Sequence, residues 1–98
     1  MEQLTTKEVE TLLNEGKAVQ LIDVREVDEV AAGKIKEAIN IPLGLIEFRM
    51  HELDKSKEYI IVCRSGARSG RATEFLTSQG FKAANMTGGM LAWEGPIQ

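Results

Sequence analysis

Apolar residues fall at two kinds of spacing along this chain, and the two alternate. Val9, Leu12 and Leu13 stand at helical intervals behind Thr5-Thr6-Lys7-Glu8, a sequence with the S/T-x-x-E form of a capping box, and Gly16 ends the pattern. Next comes Val19-Gln20-Leu21-Ile22-Asp23-Val24, too short for a helix and too apolar for a loop, which predicts a buried strand. Arg25 to Ala32 reads as a short helix stopped at Gly33. Ala38-Ile39-Asn40-Ile41 is a brief extended piece whose closing Pro42 suits a sheet edge. Apolar positions 43, 46, 50 and 53 then predict one helical face from Leu43 to Leu53. Tyr59-Ile60-Ile61-Val62 is a second strand, and Ala72, Phe75 and Leu76 set a helical stripe running to Gln79, with Gly80 as its C-terminal cap. Phe81 to Met86 predicts a further strand, Gly88-Gly89 a turn, and Met90 to Trp93 a short terminal helix or turn.

Strands alternating with helices imply an α/β fold: a small, mostly parallel sheet of four to five strands with helices on both faces. The N-terminus is expected to run directly into the first helix. Ninety-eight residues suffice for a single domain spanning 1–98, able to bury its own core without disulfide or metal. Its composition, 43% hydrophobic and 28% charged, is that of an ordinary soluble protein and leaves no tract for disorder. The residues ahead of the first helix lack the basic and apolar stretches expected of a signal peptide and no apolar run has the length of a membrane span, so a membrane is not an expected partner. One cysteine cannot form an internal disulfide, and a reducing cytoplasm is its natural location.

Charge is distributed unevenly. The net value of −3 argues against nucleic acid, yet the segment Tyr59–Thr73 holds Arg64, Arg68 and Arg71 with no acidic residue. Such an island would draw a small anion to one place. Arg71, three residues before Glu74, is better explained as part of a solvated helix face.

That island surrounds Cys63, the only cysteine, where the strand Tyr59–Val62 breaks into Arg64-Ser65-Gly66-Ala67-Arg68-Ser69. In parallel sheets ligands bind at the C-terminal edge of the strands, and Cys63 falls there. A thiol ahead of a helix N-terminus faces backbone N–H groups and the positive end of a helix dipole, which stabilise a thiolate. The alternative is a small buried hydrophobe at a strand end. None of residues 64–69 is proline, so each keeps its N–H, and Gly66 can turn left-handed to curl the chain around the sulfur as an anion-binding nest.

The loop Cys63–Ser69 resembles the active-site loop of single-domain rhodaneses, the thiosulfate sulfurtransferases. Three further segments are similar to that family's signatures in the same order: Leu21–Glu26; Gly33-Lys34-Ile35 with Ala38–Pro42; and Gly88-Gly89-Met90 with Trp93. Lys34 departs from the family, whose members often carry histidine there, at an expected surface turn. The resemblance implies a rhodanese-like fold and a cofactor-free transfer in which Cys63 takes a sulfur from thiosulfate or a persulfide donor and passes it to cyanide or a thiol. The partners implied are thus a small anionic donor and a thiophilic acceptor, with a protein persulfide as a further donor or acceptor. Residues 64–69 would form the persulfide cradle, Arg64 and Arg68 adding positive potential. Ser65 and Ser69 would add hydroxyls, although helix capping explains either equally well. Asp23 and Arg25 would brace the site by ion pairing, or serve only as turn cap and surface pair. Met90 and Trp93 are expected to pack rather than touch substrate.

Two other functions compete. Cysteine phosphatases also seat a thiolate in backbone amides, with five residues between cysteine and arginine, but here Arg68 comes one position early and the shorter loop suits a sulfur atom better than a tetrahedral oxyanion such as phosphate or arsenate. A non-catalytic sulfur-carrier or interaction module is the other. His51, the sole histidine, lies on a polar helix face, and no second cysteine or histidine is available to build a zinc site.

Overall fold

The expected alternation of strand and helix is realised in the computed structural model, which describes residues 1–98. Five strands, β1 (Glu2–Leu4), β2 (Val19–Asp23), β3 (Ile39–Asn40), β4 (Glu58–Val62) and β5 (Lys82–Met86), form one sheet in the order β1-β5-β4-β2-β3. All four pairings are parallel, so the sheet is wholly rather than mostly so. The helices are α1 (Thr6–Asn14), α2 (Val27–Ala31), α3 (Ile46–Arg49), α4 (Ala67–Ser78) and α5 (Gly89–Ala92). None is long and apolar enough to cross a membrane.

Strand alternation splits the core in two. Ile22, Tyr59, Ile61, Cys63 and Ala83 face Ile46, Ala72 and Leu76 of the α3–α4 side. Leu21, Ile60, Val62 and Met86 face Val9 of α1, with Met90 and Trp93 packed against that cluster. β4 and β2 are central, and β4 is enclosed on both sides, which is why Tyr59–Val62 reads as an unbroken apolar run. α1 begins as its capping box requires: the Thr5 hydroxyl accepts from the Glu8 N–H at 3.1 Å and Glu8 Oε1 accepts from the Thr5 N–H at 2.8 Å. β3 and its Pro42 do lie at an edge.

Two expectations fail. The N-terminus does not enter α1 directly: Glu2–Leu4 first pairs with Ala84–Met86, and three residues show no periodicity from which a strand can be read. Nor is Leu43–Leu53 one helix. It is a 3-10 turn over Leu43–Leu45, α3, and a second 3-10 turn over Met50–Glu52, with breaks at Leu45 (φ −109°, ψ −2°) and Arg49 (φ −104°, ψ 2°). Apolar spacings of three, four and three keep Leu43, Ile46, Met50 and Leu53 on the core through either geometry, so periodicity did not distinguish them.

Candidate active site

β4 ends at Val62, and Cys63 is the next residue, 1% exposed, at the base of the loop that leads into α4. Gly66 takes φ 106°, ψ −8° as the N-cap of α4, a conformation that glycine alone adopts without strain, and the chain there turns back on the sulfur. The Gly66 N–H donates to Cys63 Sγ at 3.0 Å, and Ser69 Oγ lies 3.2 Å from the same sulfur. Burial pushes the thiol up, but the Ser69 hydroxyl and the backbone N–H groups of Ser69, Gly66 and Ser65 outweigh it and hold the thiol below its ordinary value. Gly66 and Ser69 thus make the hydrogen bonds to the sulfur, while Arg64, Ser65 and Ala67 have their side chains exposed.

The rest of the loop is held from outside. Asn85 of β5 donates from Nδ2 to the Gly66 carbonyl at 3.2 Å and accepts from Ser69 Oγ at 2.5 Å. Ser69 is fully buried at the third position of α4, so its hydroxyl does not cap the helix; Gly66 caps without a side chain. Ser65 is exposed and gives the sulfur its backbone only. Beneath the loop, the Met90 and Leu91 N–H groups of α5 donate to the carbonyls of Cys63 and Arg64 at 2.9 and 3.0 Å. A Cβ on Gly89 would stand 2.6 Å from the Cys63 carbonyl oxygen, so only glycine permits this approach.

Arg68 has a partner that sequence reading did not supply. Its guanidinium is gripped by both carboxylate oxygens of Glu29 in α2, at 2.6 and 2.8 Å, and Arg68 holds that carboxyl down at about 2. The charge assigned to the sulfur from sequence is therefore largely engaged by Glu29, and neither arginine ranks among the strongest influences on the thiol. Asp23 and Arg25 do pair, both buried, at 3.0 Å (Nε–Oδ1) and 2.8 Å (Nη2–Oδ2). Arg25 also donates to the Gly33 carbonyl at 2.8 Å and the Glu29 carbonyl at 3.4 Å. The pair fixes α2 against β2, and α2 in turn carries Glu29 to Arg68.

The remaining candidates stand apart. Arg71 is exposed and forms no ion pair with Glu74. Met90 and Trp93 pack against the α1 face, the indole N–H donating to the Pro96 carbonyl at 3.1 Å. Exposed His51 has Nδ1 3.1 Å from the Phe48 carbonyl oxygen. No three His, Cys, Asp or Glu side chains are grouped to hold a metal ion. The largest surface hollow, about 420 Å³ beside Phe48, Met50, Leu53 and Phe81, does not include the Cys63 loop. Glu29 and Asn85 are the site residues that sequence reading missed. Asn85 had a signal, a polar side chain between the apolar Ala84 and Met86 of a strand, whereas Glu29 had none beyond a short helix.

Comparison with known proteins agrees with this fold. Residues 5–96 match the family described as the rhodanese-like domain. A Bacillus subtilis (strain 168) protein provisionally named sulfurtransferase YtwF is 44% identical over 95 residues, which cover 97% of this chain and 92% of that one. An Allochromatium vinosum protein named sulfurtransferase is 37% identical over 92 residues, covering 93% and 86%. The crystal structure of a rhodanese-like domain protein from Staphylococcus aureus superposes with a TM-score of 0.92 at 41% identity, covering 97% of this chain and 95% of the other.

Proposed function

The chain belongs to the rhodanese-like domain family, and on that footing we propose that it is a sulfurtransferase working through a persulfide on Cys63. The observation that carries this reading is the single thiol beyond the end of β4, which accepts from the Gly66 N–H at 3.0 Å and lies 3.2 Å from Ser69 Oγ, and which is held below its ordinary titration value despite burial. Thiolate is the nucleophile, and an amide nest accepts the anion it becomes.

With thiosulfate as donor, Cys63 Sγ attacks the outer sulfur. A new S–S bond forms, the donor's own S–S bond breaks, and its electron pair leaves on sulfite. The negative charge now resides on the terminal sulfur of Cys63–S–S⁻, among N–H groups fixed before the reaction, so no reorganisation is needed to stabilise it. Cyanide or a thiol then attacks that terminal sulfur and releases the Cys63 thiolate. With the cysteine 1% exposed, the donor's outer sulfur has to enter the ring of amides, which favours a small terminal atom over a tetrahedral group. Arg68, turned to Glu29, is engaged away from the phosphate-binding role that a phosphatase would need. A lone thiol of this reactivity belongs in a reducing compartment, and we assign the activity to the cytoplasm.

The deciding experiment is thiocyanate formation from thiosulfate and cyanide by wild type and Cys63→Ser, with intact mass after thiosulfate alone. The wild type should gain one sulfur atom and turn over, and the variant should do neither. Full activity in Cys63→Ser, or no added sulfur on the wild type, defeats the proposal. Release of phosphate from an aryl phosphate that depends on Cys63 would replace it with the phosphatase reading.

A further inference from the structure

Ser69 has one hydroxyl proton and two neighbours that can take it, Asn85 Oδ1 at 2.5 Å and Cys63 Sγ at 3.2 Å. Which neighbour receives it is decided by Asn85. Its amide nitrogen faces the Gly66 carbonyl at 3.2 Å, and a carbonyl only accepts, so the NH₂ must point there and the oxygen must point at Ser69. The reverse orientation would oppose two oxygens. Ser69 therefore donates to Asn85, and its remaining lone pair accepts from the Cys63 S–H. Ionisation of the thiol removes that arrangement: a thiolate has no proton to give, and the hydroxyl must swing from Asn85 to the sulfur, leaving Asn85 Oδ1 unpaired in a buried site.

We propose that Asn85 is a positioning residue that, through Ser69, sets the ionisation of Cys63 and favours the persulfide over the free thiolate. In the persulfide the negative charge lies on the terminal sulfur, and Sγ, bonded to carbon and sulfur, no longer requires the hydroxyl proton. Ser69 returns to Asn85. The free thiolate alone bears the cost of the broken Ser69–Asn85 bond, so loading with sulfur restores it. Of the surrounding elements, the loop and α4 carry Arg64, Arg68, Arg71 and Glu74, α2 carries Asp28 and Glu29, and the Asp23–Arg25 pair lies at the end of β2. α5 and the C-terminal end of β5 bring none, so Asn85 acts as a dipole and hydrogen-bond acceptor rather than as a charge.

The inference rests on Cys63 being the group that takes up sulfur, but its first test needs no transfer. The thiol midpoint is read from thiolate absorbance and from the pH dependence of iodoacetamide alkylation in wild type, Asn85→Ala, Ser69→Ala and the double variant. Asn85→Ala should lower the midpoint by about one pH unit, a tenfold larger thiolate fraction below it; Ser69→Ala should raise it; the double variant should match Ser69→Ala. A raised or unchanged midpoint in Asn85→Ala, or a shift from Asn85→Ala that persists without Ser69, overturns the relay in favour of simple support of Gly66. On the folded wild type, the Asn85 side-chain carbonyl carbon resonance should titrate with the Cys63 midpoint and return to its low-pH position on loading with thiosulfate. A resonance that ignores the thiol overturns the inference, whereas absence of loading with a correct titration faults only the sulfur-transfer reading.

Discussion

Arg68 and Glu29 meet across 39 residues of sequence, and their pairing changes what each does at the rim of the loop. Both side chains are about a quarter exposed, at 27% and 28%, so the bond is neither fully screened nor fully desolvated. Removing Arg68 leaves the carboxylate uncompensated beside an approaching dianion, whereas neutralising Glu29 frees the guanidinium for it. The two variants should therefore act in opposite directions: kcat/KM for thiosulfate falls roughly tenfold in Arg68→Ala and rises in Glu29→Gln. Equal changes of the same sign would show that the pair serves only to hold α2. Acid adds a second reading. Glu29 titrates at about 2 when folded against an ordinary 4.5, so its stabilisation is complete above the higher figure and is lost as pH falls toward the lower. Urea unfolding between pH 5 and pH 2.5 should show wild type losing stability that Glu29→Gln does not, and parallel pH profiles would contradict the assignment.

Among the elements, α5 is short but decisive, because its first residue is pressed against the backbone of the sulfur loop. Gly89 has φ 57°, and a side chain there would meet the Cys63 and Arg64 carbonyls that the Met90 and Leu91 amides bind. Gly89→Ala should cost about 3 kcal/mol, combining left-handed strain with a backbone clash, and should move the thiol midpoint upward as the loop is displaced. Unchanged urea midpoint and thiol titration would mean that the loop is held without α5. The sequence carries the Gly88-Gly89 pair as a turn, but its task under the loop depends on a contact made 25 residues earlier in the chain, at Arg64. The same distinction separates what was legible elsewhere. Capping at Thr5, the β2 and β4 runs, Gly66 and the cysteine loop are local patterns and appear in the structure where periodicity and turn chemistry put them. The Arg68–Glu29 bond, the Asn85–Ser69 bond and the broken Leu43–Leu53 segment depend on partners or curvature that no window of the sequence contains.

At the scale of the whole molecule, the strand that periodicity could not reveal closes the sheet beside the site. β1 pairs with β5 through Glu2–Ala84, Gln3–Asn85 and Leu4–Met86, and the Leu4 carbonyl accepts from the Thr87 N–H at 2.8 Å and its hydroxyl at 3.2 Å. β5 is thus held between β4 and β1, and it is the strand that carries Asn85 under the loop. Removal of residues 1–4 would take away these ladder bonds and the apolar contribution of Leu4 to the α1-side core, and would leave β5 as an open edge. An exposed edge of small and apolar residues, Ala83, Ala84 and Met86, is a template for pairing with another chain. The truncated protein should unfold about 2–3 kcal/mol more easily, as expected for one buried leucine and a few ladder bonds. Light scattering should also show concentration-dependent association, and sulfur transfer should weaken with it as Asn85 loosens. A truncated protein that stays monomeric, with the urea midpoint and transfer rate of the full chain, would show that β5 holds its place from β4 and α4 alone.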